Sequence, residues 1–383
     1  MFESSIKYGR YTAKNKEEEQ ELSKYKSQKK RQLEKRVEKA CFNCSKEISS
    51  FHKSHSIPHS ILKNLKSGNV GTYNIAADIF LAKKEEGIAR AGVFYLICSD
   101  CDGPLFSAYE NNSDMLGVGY TDEMIMQIMM KNYLSKIYRS KYALSTATSF
   151  INDMDDSHRI SGLSVEDFST PDLEILVYKA YQQTQIAELD IQRYTNDFKL
   201  CKKQLAKKRY NSPFVFFQKR LDYTVPIAFH HSFALPYDLS GEKVYDVYGG
   251  NNPDSSDLHI CIFPRGGYSE ILLIIENSKR AEKYRNFRKQ FNKLTEDDKL
   301  QAILFLIFRY SDQSYSSPLI EHILEKDEAI GKLSSETNYW EYKGFLTKEQ
   351  QEAHIRSTCD FHKRHKIPKL LSAEFSIEAL SCI

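Results

Sequence analysis

The sequence contains few of the residues that interrupt or loosen a fold. Its 383 residues include only 10 Pro and 16 Gly, a scarcity that argues against long disordered linkers. Aromatic side chains are plentiful, with 24 Tyr and 22 Phe beside a single Trp. Apolar residues make up 41% of the chain, which provides material for hydrophobic cores, and the length suits two or three domains.

Long hydrophobic runs are also lacking. No stretch of about 18 apolar residues occurs, so neither a transmembrane helix nor a membrane partner is predicted. The first residues, MFESSIKYGRYTAKNKEEEQ, contain no apolar segment of a secretory signal. We therefore expect a cytoplasmic protein. In a reducing compartment its eight Cys should not form a disulfide framework.

The chain as a whole has little net charge, only +3, so it is not a polycation. Positive charge is instead concentrated locally. Residues 1–40 are predicted to form a basic helical arm, in which the part from Lys24 to Lys39 holds eight Lys or Arg against two Glu. Such a segment is either a solvated helix or an arm that contacts phosphates. The candidate phosphate contacts are Lys29, Lys30 and Arg31.

Four of the Cys occur as two Cys-x-x-Cys pairs, a pattern typical of metal sites. Cys41 and Cys44 form the first pair, and Cys98 and Cys101 form the second after a gap of 53 residues. Four thiolates match the tetrahedral coordination of a structural Zn²⁺, and the short spacing lets one turn present both sulfurs of a pair. The alternatives are two unrelated pairs or a redox pair, although a redox motif expects a βαβ context that the sequence does not show. The scattered Cys are predicted to be ordinary thiols: Cys201, Cys261, Cys359 and Cys382.

Two long helices are predicted in the middle of the chain. The first covers residues 121–145, with Thr121 as its N-cap and Met side chains as core filler. The second covers residues 171–209, where apolar and small side chains recur in an unbroken 4-3 spacing over about five heptads. Such a seam packs against another helix of the chain, against a second copy in a homodimer, or against a partner protein.

The end of the second helix is strongly basic. Residues 199–220 hold eight Lys or Arg and no acid, interleaved with Tyr210, Phe214, Phe216 and Phe217. This combination is typical of nucleic-acid binding, in which cations contact phosphates and rings stack on bases. The candidate contacts are Lys202, Lys203, Lys207 and Lys208.

The last part of the chain mixes strand and helix patterns. Strand-like runs occur at VPIAFHHSFAL, KVYDVYG, LHICIFP and EILLIIEN, with Gly-Gly turns at 249–250 and 266–267. Helices are expected at 279–293, 296–310 and 318–328, and Thr295 is a favourable start for the second of them.

The chain is therefore predicted to be an α+β protein with a zinc-bound ββα-like module near its start and a long central helix. The predicted parts are a basic helical arm at 1–40, a zinc module at 41–120, a helical region at 121–220 and an α+β domain of unknown role at 221–383.

The zinc module resembles the HNH, or His-Me finger, endonucleases over about residues 40–112. In members with two Cys-x-x-Cys knuckles, a His in an E-H-I-I-P or D-H-x-x-P string follows the first knuckle. A helix carrying an Asn or His begins right after the second. The histidine string has a similar counterpart here in Lys53-Ser54-His55-Ser56-Ile57-Pro58. The second knuckle and the residue after it have one in Cys98-Ser99-Asp100-Cys101-Asp102. Ser54 stands at the acidic position and Asp102 at the Asn or His position.

The resemblance implies metal-dependent cleavage of a nucleic acid. His55 would be the general base for an attacking water, and Asp102 would bind a catalytic Mg²⁺ or Mn²⁺. His52 and His59 remain alternative bases. The zinc would be purely structural. A nuclease module followed by a separate C-terminal domain would fit an effector-plus-sensor protein of bacterial defence or of a mobile element, by analogy alone.

Three functions are compatible with the sequence. The first is a metal-dependent HNH-type endonuclease that acts on a nucleic acid, with DNA favoured over RNA but RNA left open. The second is a zinc-stabilised nucleic-acid-binding protein without catalysis, and the third is a zinc-stabilised scaffold that binds a partner protein. Convergence of His55 and Asp102 on one open point would favour the first.

Overall fold

The structure of the chain is a computed structural model. The residues that it describes are 39–48, 52–65, 69–74, 82–110, 119–157, 159–160, 163–164, 170–211, 213–247, 254–311, 313–331, 333, 348–364 and 367–382. The predicted basic arm lies outside the described residues except for its last two positions, and so do its candidate contacts Lys29, Lys30 and Arg31.

Helices and strands together confirm the predicted α+β class. The strands are β1 (Ser54–His55), β2 (Asn69–Asn74), β3 (Ala82–Gly87), β4 (Val93–Phe94), β5 (Arg159–Ile160), β6 (Leu163–Ser164), β7 (Pro213–Leu221), β8 (Ile227–Phe233), β9 (Leu258–Arg265), β10 (Tyr268–Glu276) and β11 (Ser314–Ser316). The helices are α1 (His59–Leu62), α2 (Ser99–Glu110), α3 (Asp122–Ser157), α4 (Thr170–Ala206), α5 (Arg285–Lys293), α6 (Glu296–Tyr310), α7 (Glu321–Lys326), α8 (Lys348–Cys359), α9 (Phe361–Arg364) and α10 (Ile377–Leu380). Short 3₁₀ segments include Arg280–Tyr284, directly before α5. Among the described residues, no helix has the length and apolarity needed to cross a membrane.

The chain packs into two compact units, and each is discontinuous in sequence. The first takes its described residues from within 1–54, 94–117 and 133–203, and the second takes them from within 55–93, 118–132 and 204–383. The segment 41–120 therefore contributes to both units. Strands β1 and β4 form a two-stranded sheet of their own.

The second unit contains a seven-stranded antiparallel sheet. Its strand order is β3-β2-β11-β8-β9-β10-β7. Alternate side chains of the central strands, such as Phe229, Ile260 and Leu273, belong to one hydrophobic core together with Phe287 of α5 and Phe305 of α6. The near-continuous apolar runs in the sequence fit strands that are buried on both faces.

The other face of this sheet mixes polar and apolar side chains and contacts residues 119–132. The imidazole Nε2 of His230 lies 3.3 Å from the carbonyl oxygen of Ile128, and Asn132 Nδ2 lies 3.1 Å from His259 Nδ1. Both histidines are buried, as are the Met side chains of this part of α3 that were predicted to fill the core. The sheet is thus covered on both faces.

Several local signals gave the correct structure. Thr121 accepts a hydrogen bond from the Met124 N–H at 3.3 Å, and the Thr295 side chain accepts one from Asp298 at the start of α6. Gly266 and Gly267 form the turn between β9 and β10, where Gly267 has a φ of +87° that L side chains rarely adopt. These caps and turns depend on neighbouring residues, which explains why the sequence predicts them.

The predicted strand at KVYDVYG is wrong in its described part. Residues 243–247 form no strand, and Lys243 makes only an isolated bridge with Tyr237. The Tyr245 side chain is buried and donates a hydrogen bond to the carbonyl oxygen of Arg280 at 2.6 Å. Side-chain anchoring therefore holds this segment as an irregular loop.

The first unit contains most of α3 and α4. Within it, the rings of Tyr133 and Tyr194 stack with centroids 6.2 Å apart. The predicted long helix is confirmed, although it ends at Ala206 because Lys208 adopts a left-handed φ of 50°. Among the seam side chains that the structure describes, the buried ones are Ala180, Ala187, Tyr194, Phe198 and Cys201.

Candidate metal centre and adjoining site

The first Cys-x-x-Cys pair lies at the tip of a tight hairpin. Ala40 and Glu47 form an antiparallel bridge, and the Cys41 N–H donates to the carbonyl oxygen of Lys46 at 2.8 Å. The Ser45 N–H donates back to the carbonyl oxygen of Cys41 at 2.8 Å, with Ser45 in a left-handed conformation (φ 61°). This turn brings the two thiols of the pair to one side of the backbone.

The second pair lies at the start of α2. The N–H groups of Cys101 and Asp102 donate to the carbonyl oxygen of Cys98 at 3.1 and 3.0 Å. The Cys98 N–H in turn points to Cys41 Sγ at 3.3 Å, which joins the two knuckles. Asp100 and Asp102 lie in the first turn of the helix, where the helix dipole favours negative charge.

The four thiols form a cluster with the dimensions of a zinc site. All four Sγ atoms lie within 4.8 Å of one another. Cys41 Sγ is 3.8 Å from Cys101 Sγ, and Cys44 Sγ is 3.9 Å from Cys98 Sγ. A tetrahedron with Zn–S bonds of about 2.3 Å has S–S edges of about 3.8 Å. The donors and their spacing therefore fit a structural metal ion such as zinc.

Crowding gives the thiols divergent acidities in the absence of a metal. Burial raises the pKa of Cys41, but backbone N–H groups of Cys44, Cys98 and Asn43 outweigh it and lower the pKa to about 7. Burial and the neighbouring thiols raise the pKa of Cys101 to about 12. Thiolates are the form that binds zinc, so metal binding at this cluster should release protons.

The first knuckle packs against the two long helices of its unit. The ring of Phe42 meets Phe198 of α4 edge to face, with centroids 5.6 Å apart, and the Lys141 ammonium lies 5.9 Å from the Phe42 centroid. Lys202 donates a hydrogen bond to the carbonyl oxygen of Asn43 at 3.0 Å. The nucleic-acid contact of Lys202 stays a prediction, whereas its hydrogen bond to the knuckle is observed. The other three predicted lysines, Lys203, Lys207 and Lys208, are exposed.

Asp102 lies beside the cluster with two partners from the segment after the first knuckle. Its carboxylate is buried and accepts a hydrogen bond from Ser54 Oγ at 2.8 Å. His52 Nε2 lies 3.6 Å from the other carboxylate oxygen, an ion-pair distance rather than a hydrogen bond. The His52 side chain is 44% exposed, and its backbone N–H donates to the carbonyl oxygen of Ile97 at 3.3 Å. A buried carboxylate thus faces a solvent-accessible imidazole.

His55 and His59 lie in the second unit. Their ring centroids are 5.5 Å apart, and His55 is half-buried. The expected convergence of His55 and Asp102 stays a prediction, because the two residues belong to different units. The sequence indicates His52 only as an alternative base, because no motif distinguishes this position, three residues before His55, from other histidines.

Comparison of the chain with protein-family models, curated proteins and solved structures finds no match.

Proposed function

We propose that this protein is a metal-dependent endonuclease of HNH type that cleaves DNA. The observation that carries the proposal is the hydrogen bond between Ser54 and Asp102 at 2.8 Å. These residues occupy the two positions that the resemblance sets beside the catalytic centre: the one before the histidine of the first string and the one after the second knuckle. The zinc site supports the proposal because it anchors both segments.

The residues around Asp102 suit phosphodiester hydrolysis. Carboxylate oxygens are preferred ligands of Mg²⁺ and Mn²⁺, and Asp102 would hold such an ion at the start of α2. The bound ion would stabilise charge on the scissile phosphate. His52 is the histidine placed beside this carboxylate, and a neutral imidazole takes the proton of an attacking water. His55 is the histidine that the resemblance assigns to the same role.

The test is a cleavage assay on plasmid and single-stranded DNA in the presence of Mg²⁺ or Mn²⁺. It compares the wild type with His52→Ala and His55→Ala. The matched control is His322→Ala on α7, whose side chain is exposed. Loss of a general base lowers the rate about 10²–10⁴-fold. We expect this fall in cleavage rate for either His52→Ala or His55→Ala, and no change in rate for the control. Absence of cleavage by the wild type would end the proposal.

A second function is favoured by the burial of Asp102, which is only 6% exposed and accepts the Ser54 hydroxyl. A carboxylate in that position also suits a purely structural role, in a zinc-stabilised protein that binds nucleic acid without cutting it. The test is a charge reversal of Lys203, Lys207 and Lys208 with Lys202 kept, because Lys202 holds the knuckle. Each lost phosphate contact should reduce the salt slope of duplex binding by about 0.9. Binding with this dependence and no cleavage would establish the second function.

A further inference from the structure

A strongly basic surface lies on the second unit, away in sequence from the cysteine cluster. Residues 279–293 hold seven Lys or Arg and a single acid, Glu282. Phe287 and Phe291 are buried in the core, so the charged side chains of α5 lie on its outer side. The exposed cations of this segment are Lys279, Lys283, Arg285, Lys289 and Lys293.

These five cations make no ion pair with a carboxylate in the part of the chain that the structure describes. Arg280 differs, because it pairs with Glu276 at 2.8 Å. The acids at the start of α6 are already engaged, Glu296 by Lys219 at 2.6 Å and Asp297 by Lys369 at 3.8 Å. A polyanion on this surface would gain from the release of counterions.

An aromatic ring adjoins the cations. Phe214 of β7 is 41% exposed, and the Arg288 guanidinium of α5 lies 5.1 Å from its centroid. Arg288 Nε is buried and has no hydrogen-bond partner among the described residues. An exposed ring beside a guanidinium is a stacking surface for a nucleobase.

The position of α5 against β7 is fixed by aromatic packing. A bulge in β7 shifts the register with β10 at Leu273 and Ile274. The ring of Phe216 lies 6.0 Å from that of Phe287, and the ring of Phe217 lies 5.3 Å from that of Phe291, as centroid distances. The ring and the cations are therefore parts of one preformed surface.

A second basic segment lies within reach of the same ring. Lys207, Lys208 and Arg209 are exposed, and Arg209 precedes Phe214 by five residues. Five residues span at most about 18 Å, the length of a few nucleotides. The ring of Phe214 thus has cations on α5 and in the preceding segment.

We propose that α5, Phe214 and Lys207–Arg209 form a binding surface for single-stranded DNA. Phosphates contact the unpaired cations while a base stacks on Phe214 beside Arg288. A duplex presents only base edges and phosphates, so a stacking ring favours a single strand. The inference rests on the proposed function for the choice of DNA and adds the form of the substrate.

The test is fluorescence anisotropy of a labelled 20-nucleotide DNA strand with the full chain, in buffer without Mg²⁺ or Mn²⁺. Phe214→Ala should weaken binding about 5- to 150-fold, whereas Phe214→Tyr keeps a stacking ring and should bind as the wild type does. The double reversal Lys289→Glu with Lys293→Glu should lower the salt slope by about 1.4. The matched control is Lys326→Glu with Lys363→Glu, two exposed lysines on α7 and α9, and should leave the slope unchanged. A duplex and an RNA strand of the same sequence complete the series.

Equal affinity of Phe214→Ala and the wild type for the strand would overturn the inference, as would tighter binding of the duplex or of the RNA. The thermal unfolding of each variant shows whether it folds. If the wild type cleaves DNA but the variants bind the strand as the wild type does, only the inferred binding surface is contradicted. If binding depends on Phe214 but the protein cleaves no DNA, only the nuclease proposal is contradicted.

Discussion

Ser54 and Asp102 are hydrogen-bonded at 2.8 Å although 48 residues separate them in sequence. Each follows a cysteine knuckle, and a metal ion on the four thiols would hold both knuckles together. Ser54 is fully buried and Asp102 is only 6% exposed, so bulk water competes little for this hydrogen bond. This contact therefore joins the two segments that follow the cysteine knuckles.

Removal of the Ser54 hydroxyl should destabilise the protein. Ser54→Ala removes a buried hydrogen bond to the carboxylate of Asp102, which should cost about 1–3 kcal/mol in the free energy of unfolding. Ser54→Thr keeps the hydroxyl and is the control. Urea unfolding checks the difference, and equal stability of the Ala variant and the wild type would show that the hydrogen bond contributes nothing.

Zinc content follows from the geometry of the thiols. Freshly purified, reduced protein should carry about one Zn²⁺ per chain, measured by mass spectrometry of the metal. Cys41→Ser and Cys98→Ser should lose the ion and destabilise the first unit, since binding energy at a structural zinc site is also folding energy. Cys382→Ser, at an exposed thiol outside the cluster, should keep it. A wild-type protein free of zinc would rule the site out.

The packing of the knuckle on α4 can be tested at Phe198. This side chain is 2% exposed and contacts Phe42, so Phe198→Ala should cost about 3–5 kcal/mol in stability. Leu200→Ala changes a side chain of the same helix that is 45% exposed and should cost little. Thermal unfolding distinguishes them, and similar midpoints for the two variants would contradict the packing.

Stability should fall in mild acid because of His230. Burial lowers the pKa of His230 to about 3 from 6.5, so the unfolded chain binds this proton more readily than the folded protein. The stability that comes from burying the neutral imidazole is fully present above about pH 6.5 and is lost as the pH falls toward 3. The loss amounts to about 2 kcal/mol by pH 5. His230→Asn should be less stable than the wild type at neutral pH, but its free energy of unfolding should fall less between pH 6.5 and pH 5. Parallel pH profiles of the two proteins in urea would refute the assignment.

Local patterns account for what the sequence predicted. The spacing of Cys41, Cys44, Cys98 and Cys101 identified four thiols that the structure does bring together. The caps Thr121 and Thr295 set the starts of α3 and α6 because a cap needs only the next few residues. Helix propensity and capping depend on one or two turns of sequence, which is why the predicted helix starts agree with the structure.

The remaining features depend on contacts between distant residues. Strands β2 and β3, from residues 69–87, join a sheet whose other strands come from beyond residue 212, and no local pattern encodes that pairing. The proximity of His52 and Asp102 is equally non-local. The string around His55 drew attention to that residue by resemblance, whereas the position of His52 depends on how its backbone pairs with Ile97.

We propose that the cysteine module holds a nuclease site at Asp102. The most direct measurement is the rate of DNA cleavage in Mn²⁺ by the wild type, Asp102→Ala and Asp102→Asn, with the zinc content of each. We predict cleavage by the wild type, a loss of at least about 10²-fold in the Ala variant, and a smaller loss in the Asn variant, which keeps an oxygen ligand. All three should retain zinc. Equal rates for the wild type and the zinc-loaded Ala variant, or no cleavage by the wild type, would contradict the claim.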